Sequence, residues 1–190
     1  MNICIYGGSF NPVHRGHIAL AQTALKQGGF DQLWMMLSPA NPLKKNSELM
    51  SDSVRYKLLQ MAVKGRKGLV ACDFELSMPR PSYTIHTLKA LQQHFPQHHF
   101  TLLIGADNWL KFTEWYAHDE ILNNYPIIIY PRKGCTIDEN KLPSTVKMLK
   151  TRLYNVSSSE IRQRLAEGKE LGRMVPKAIY QELINMKLNR

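Results

Sequence analysis

The sequence predicts an α/β fold: a largely parallel, Rossmann-like sheet with helices on both faces. Two observations carry this prediction. Short apolar runs alternate with segments whose apolar residues recur at helical spacing, a pattern that implies right-handed crossovers and a parallel sheet. The first run, residues 2–6, ends at Gly7-Gly8 and passes directly into a helical pattern, which gives a strand, a tight glycine turn and a helix.

The elements follow in order. Residues 2–6 form a strand and 12–27 a helix; 32–38 read as strand, 52–64 as helix, 69–74 as strand and 84–94 as helix. Further strands are expected at 100–104 and 126–130, with short helices at 107–112 and 117–124 between them. A short strand at 152–156 then precedes a helix at 158–167, so a C-terminal helical part begins at about 157. Pro176 opens the last amphipathic helix, in a first-turn position where a missing N–H costs little.

At 190 residues and 44% hydrophobic content, the chain can bury a proper core and is expected to form one domain over 1–190. The longest apolar stretches are too short to cross a bilayer, and residues 1–6 have no signal-peptide pattern. A cytoplasmic protein with no membrane partner is expected. Cys4, Cys72 and Cys135 are scattered and include no CxxC pair, which suggests neither a disulfide framework nor a thiolate zinc site. A formal charge of +10 favours polyanions or phosphorylated small molecules as partners.

The most informative stretch is GGSFNPVHRGH, residues 7–17. Glycines let a backbone approach phosphate closely, and a helix start presents free N–H groups with partial positive charge. His14 and His17, three apart, share one helix face and can point into the same space. A zinc pair or two surface histidines would show the same spacing, but the sequence offers no obvious third zinc ligand. There is no GxxxxGK[ST] loop, and Gly7-Gly8 does not continue as GxGxxG, so kinase and dehydrogenase readings lose support.

Other polar residues also follow predicted strands: Lys44, Gly105 to Asp107, Arg132, and Ser157 to Arg162. In such folds ligands bind beyond the carboxyl ends of the strands, so these positions can converge on one cleft. Ser157 and Glu160 have capping-box spacing, and Arg162 adds a cation in the first turns of the same helix, which suits a polyphosphate. Capping alone also accounts for Ser157. Trp115 and Tyr116 follow the polar pair Thr113-Glu114, which suggests an exposed corner rather than core.

GGSFNPVHRGH resembles the signature of the nucleotidyltransferase superfamily with an HxGH element and, within it, that of the nicotinate mononucleotide adenylyltransferases. The resemblance spans nearly the whole chain. Pro81-Ser82-Tyr83-Thr84 with Thr87-Leu88 is similar to the family's SYT segment, and Ile104-Gly105-Ala106-Asp107 to its glycine-x-aspartate turn. Trp115-Tyr116 resembles its base-stacking pair, Pro131-Arg132-Lys133-Gly134 its RxG turn, and NVSSSEIR at 155–162 its late ISSTxIR element. The family commonly carries a histidine before a basic residue after the second strand; here Leu43 precedes Lys44.

The resemblance implies adenylyl transfer from ATP to nicotinate mononucleotide, giving deamido-NAD and pyrophosphate in NAD biosynthesis. It implies His17 and His14 as catalytic residues. ATP would be bound by Gly8, Ser9, Phe10, His14, His17, Lys44, Gly105, Asp107, Arg132, Ser157, Ser158 and Arg162, with Asp107 on a ribose. Thr84, Trp115 and Tyr116 would hold the mononucleotide. The pyridinium ring is cationic, so the Trp115 indole offers stacking plus cation–π attraction of roughly 0.5–2 kcal/mol. N–H groups at the helix start near Thr84 would meet the nicotinate carboxylate, although Ser82 or Thr84 could simply cap that helix. Mg²⁺ would be carried with ATP, with no protein-held metal expected.

Rival readings remain at this point. Nicotinamide mononucleotide, phosphopantetheine or a cytidylyl-transfer substrate would use the same chemistry; phosphopantetheine is disfavoured because that family usually has threonine where His14 stands. A basic RNA-binding protein fits the charge, but neither an RNP nor a GXXG element is present, so no nucleic-acid partner is expected. A noncatalytic nucleotide sensor would not need both histidines. Oligomeric state is open, a homo-oligomer included.

Overall fold

In the computed structural model, residues 1–39 and 49–188 are described. Among them, six strands form one sheet: β1 (Asn2–Gly8), β2 (Gln32–Leu37), β3 (Leu69–Cys72), β4 (His99–Gly105), β5 (Ile127–Tyr130) and β6 (Val146–Met148). Their spatial order is β3-β2-β1-β4-β5-β6, and every pairing is parallel. The chain therefore winds outward from β1 to one edge, returns, and winds outward from β4 to the other. That reversal places a switch point between β1 and β4, where this class of sheet opens a crevice at the strands' carboxyl ends.

The helices are α1 (Arg15–Gly28), α2 (Asp52–Val63), α3 (Thr84–His94), the single-turn α4 (Ala106–Trp109), α5 (His118–Asn124), α6 (Ser158–Glu167) and α7 (Lys177–Leu188). Alternation along β1 divides the core. Cys4 and Tyr6 pack with Leu58 and Leu59 of α2, Ile161 of α6 and Ile179 of α7, whereas Ile3 and Ile5 pack with Ile85, Leu88 and Leu91 of α3 and Ile121 of α5. A strand covered on both faces reads as a continuous apolar run, which is why ICIY gave no alternation. The predicted parallel sheet with helices on both faces is what the chain forms.

Three local expectations differ. The last strand is Val146–Met148, paired with β5 as Ile127↔Val146 and Ile129↔Met148, and not 152–156. In that later segment Leu153 is exposed, while the Tyr154 hydroxyl lies within hydrogen-bond reach of Thr23 Oγ1 on α1 and accepts from Thr151. It is an irregular strap over α1 with β-branched and aromatic residues but no ladder. The first helix starts at Arg15 rather than residue 12, because His14 is extended (φ −139°, ψ 172°) and caps it. The helix expected at 107–112 ends after one turn at Trp109, and a separate 3-10 turn covers Phe112–Glu114. Among the described residues, no helix is long and apolar enough to cross a membrane.

Candidate active site

The turn after β1 organises itself around its two histidines. The His17 backbone N–H donates to His14 Nδ1 and the His14 N–H donates to His17 Nδ1, both at 3.2 Å. This is a capping box built from two imidazoles in place of hydroxyl and carboxylate. The rings stack with centroids 3.5 Å apart and planes at 16°. Gly16 makes this possible: a Cβ there would stand 2.9 Å from Val156 Cγ1 and 3.1 Å from the His14 ring.

The capping bonds fix the tautomers. A neutral imidazole whose Nδ1 accepts must carry its proton on Nε2. Burial, reinforced by the positive charge of Arg132, lowers the His14 ring to about 4. Burial, then the His14 ring and Arg132, hold His17 well below the ordinary 6.5. Both rings are neutral near pH 7, and neither Nε2 has a partner among the described residues. The pair is thus a set of two prealigned N–H donors. Phe10, at φ 42°, sets its ring edge-on to His17 at 5.1 Å and to Tyr6 at 5.5 Å, which fixes the back of the His17 ring.

Other sequence-predicted residues meet at the same end of the sheet. Ser157 Oγ accepts from the Glu160 N–H at 3.1 Å, so the predicted cap is formed. Ser158 Oγ donates to the Pro12 carbonyl and Arg162 Nη1 to the Asn11 carbonyl, each at 2.9 Å, which locks the start of α6 onto the histidine turn. Arg132 donates to the Tyr130 hydroxyl at 2.9 Å and pairs with Asp107 at 3.4 Å. A side chain at Gly105 would collide with the Asp107 carboxylate and with Arg132 Nε. Asp107 thus pairs with an arginine that Tyr130 also holds and whose charge reaches both histidines.

Next to this cluster is a cavity of about 170 Å³, lined among others by Gly7, Gly8, Glu75, Thr84, Gly105 and Trp115. It shares Gly7 and Gly8 with the histidine turn, so Thr84 and Trp115 face a space that adjoins that turn. Helix α3 starts there without a side-chain cap, and the Thr84 and Ile85 N–H groups have no partner among the described residues. Capping by Ser82 or Thr84, the simpler alternative, does not occur. Tyr116 lies outside the cavity lining: it is exposed and rests on Tyr83 with ring centroids 4.8 Å apart. Lys44 lies outside the described residues.

Arg55 was not singled out from the sequence. Its side chain is fully buried, donates to the carbonyls of Ser9, of Ser38 at 3.0 Å and of Met50 at 3.1 Å, and pairs with Asp52. One guanidinium thus ties the loop after β1 to the loop after β2 and to the start of α2. The signal was available: Arg55 precedes Leu58, Leu59 and Ala62 by three, four and seven residues, a core position on a helix. A charge there is retained only when its donors are satisfied. Glu75, buried in the cavity wall, was also missed, because a lone carboxylate in a turn has no pattern.

The cytidylyltransferase-like family model matches residues 5–164. A Bacteroides fragilis protein named probable nicotinate-nucleotide adenylyltransferase is 41% identical over 180 residues, covering 95% of this chain and 90% of that one. One of the same name from Azobacteroides pseudotrichonymphae is 39% identical, with 97% of each chain covered. Plasmodium falciparum nicotinic acid mononucleotide adenylyltransferase, solved with NaAD, superposes with a TM-score of 0.80 at 20% identity, over 98% of this chain and 96% of that one. At that identity the likeness shows the fold.

Proposed function

The chain belongs to the cytidylyltransferase-like family and, within it, to the nicotinate-nucleotide adenylyltransferases, and we propose that it transfers the adenylyl group of ATP to nicotinate mononucleotide, releasing pyrophosphate and forming deamido-NAD. The observation that carries the site assignment is the histidine pair: two neutral rings, each with Nδ1 held by backbone and Nε2–H available.

The chemistry needs no general base. The nucleophile is a phosphate oxygen of the mononucleotide, a monoester with second pKa near ~6 that is already anionic at neutral pH. The protein must align that oxygen with the α-phosphorus of ATP and stabilise charge on the transferring group and on the leaving pyrophosphate. His17 donates to the α-phosphate and His14 to the triphosphate. Gly8, Ser9 and Phe10 give ATP a close backbone surface, and Arg132, Ser157, Ser158 and Arg162 line the remaining phosphates. Magnesium would come with ATP and would supply charge neutralisation at the phosphates, a role that needs few protein ligands.

The pyridine ring enters the cavity beside the turn, against Trp115, and its carboxylate accepts from the open N–H groups of Thr84 and Ile85. Tyr116 serves at the rim. An engineered cavity of roughly 150 Å³ takes up benzene, so the observed space of about 170 Å³ suits a single aromatic ring. The whole chain acts as one nucleotidyltransferase unit in the cytoplasm.

The test is pyrophosphate release from MgATP with nicotinate and nicotinamide mononucleotides assayed in parallel. Preference for the acid is expected. Preference for the amide would keep the chemistry and overturn the acceptor; no release with either would remove the reading.

A further inference from the structure

Among the described residues, Glu75 is the acidic residue of the cavity wall, and none of those lining it is a lysine or arginine. The residue is 8% exposed and lies in the 3-10 turn Phe74–Ser77. Its carboxylate accepts one hydrogen bond, from Thr87 Oγ1 at 2.9 Å, and has no basic partner among the described residues. A neutral hydroxyl is a weak return for an ionisable group taken out of water, since buried charges are normally paired. A glutamine would keep the Thr87 bond without that cost. The position therefore makes sense when a cation completes it.

The proposed acceptor carries such a cation in its ring. From this we infer that Glu75 is the counter-charge for the pyridinium ring and selects mononucleotides whose base is positively charged. The inference rests on the function proposed above. Two polar groups of the cavity wall then have opposite roles. The uncapped start of α3 offers N–H groups to the ring's carboxylate, and Glu75 offers negative charge to the ring itself. Trp115 gives an aromatic face to the same cation. Thr87 positions Glu75: its hydroxyl also reaches the Tyr83 carbonyl at 3.4 Å, so the carboxylate is tied to the first turn of α3. The ring charge is present in nicotinate and nicotinamide mononucleotides alike, so Glu75 discriminates by base charge and leaves the choice of acid over amide to the helix start.

The experiment compares nicotinate mononucleotide with C-ribosyl benzoate 5′-phosphate, which has the same carboxylate but an uncharged ring, in the native enzyme and in Glu75→Gln. The native enzyme should prefer the charged ring in kcat/KM by about tenfold or more, the scale of one partly screened charge pair. Glu75→Gln should lower that ratio severalfold, toward the smaller preference that Trp115 leaves, through a higher KM for nicotinate mononucleotide with kcat largely kept. Because the ratio compares two substrates on one preparation, a loss of folded protein cannot mimic this result. An equal loss on both substrates would overturn the inference and leave Glu75 as a support for α3. If the native enzyme turns over neither nicotinate nor nicotinamide mononucleotide, the proposed function fails and takes this inference with it.

Discussion

The histidine turn and the cavity beside it sit side by side at the carboxyl end of the sheet, yet they are built in opposite ways. The turn is local: residues 7–17 supply the donors, the capping bonds and the glycine that lets the rings stack. The cavity is assembled from β1, β2, β4, α3, the turn at Phe74–Ser77 and the corner at Trp115. In the first region polar groups hold one another in place before any ligand arrives. In the second, the helix start is uncapped and the carboxylate has no basic partner among the described residues. The turn is thus suited to the step that is the same for every acceptor, and the cavity to the choice of acceptor.

If that division holds, the two regions should fail differently, and the largest failure belongs to the turn. His17→Ala removes one preorganised donor and should lower kcat about 10²–10³-fold. The variant also loses the acceptor of the His14 N–H, so a modest drop in Tm with the fold kept is expected; circular dichroism and a thermal melt check this beside the steady-state assay. Near-normal turnover would take His17 out of the chemistry and collapse the comparison.

Trp115→Ala should give a smaller loss of a different kind: KM for the mononucleotide raised roughly tenfold, in keeping with about 0.5–2 kcal/mol of stacking and cation–π attraction, with kcat little changed. Tyr116→Ala should do less, because Tyr116 rests on Tyr83 outside the cavity. A fall in kcat as large as that for His17→Ala would mean that the cavity also aligns the reacting oxygen.

The same division explains what could be read from the sequence. The turn was legible because its paired histidines, glycines and capping bonds lie within eleven consecutive residues, and so was the cap at Ser157, which uses a three-residue spacing. The parallel sheet was legible through the rhythm of apolar runs. The edge strand Val146–Met148 was not: it is three residues long, with Lys147 exposed between its neighbours. Residues 152–156 carry a better strand composition but no partner ladder. Glu75 and Arg55 depend on what the fold brings near them, and only Arg55 left a trace, as a charge on the apolar stripe of α2.

The smallest expected effect is the sharpest test of the turn's electrostatics. Both histidines have folded values below the ordinary 6.5, with His14 at about 4. A depressed value means that the unfolded chain takes up a proton as pH falls through 6.5, while folded His14 does not until near 4. The stability these rings contribute by staying neutral is therefore present above 6.5 and lost as pH falls toward 4. Between pH 6.5 and 8 the free enzyme already has both rings neutral, with Nε2–H in place. In that window kcat/KM should be flat with respect to the histidines, and its decline on the acid side should follow protonation of the mononucleotide phosphate near ~6. A profile of kcat/KM from pH 5 to 8.5, compared with His14→Asn, which keeps a side-chain acceptor at the helix cap, checks this. An alkaline fall between 6.5 and 8 in the native enzyme that vanishes in His14→Asn would mean that the pair works as imidazolium, and that the turn, like the cavity, is completed by charge rather than by prealigned neutral donors.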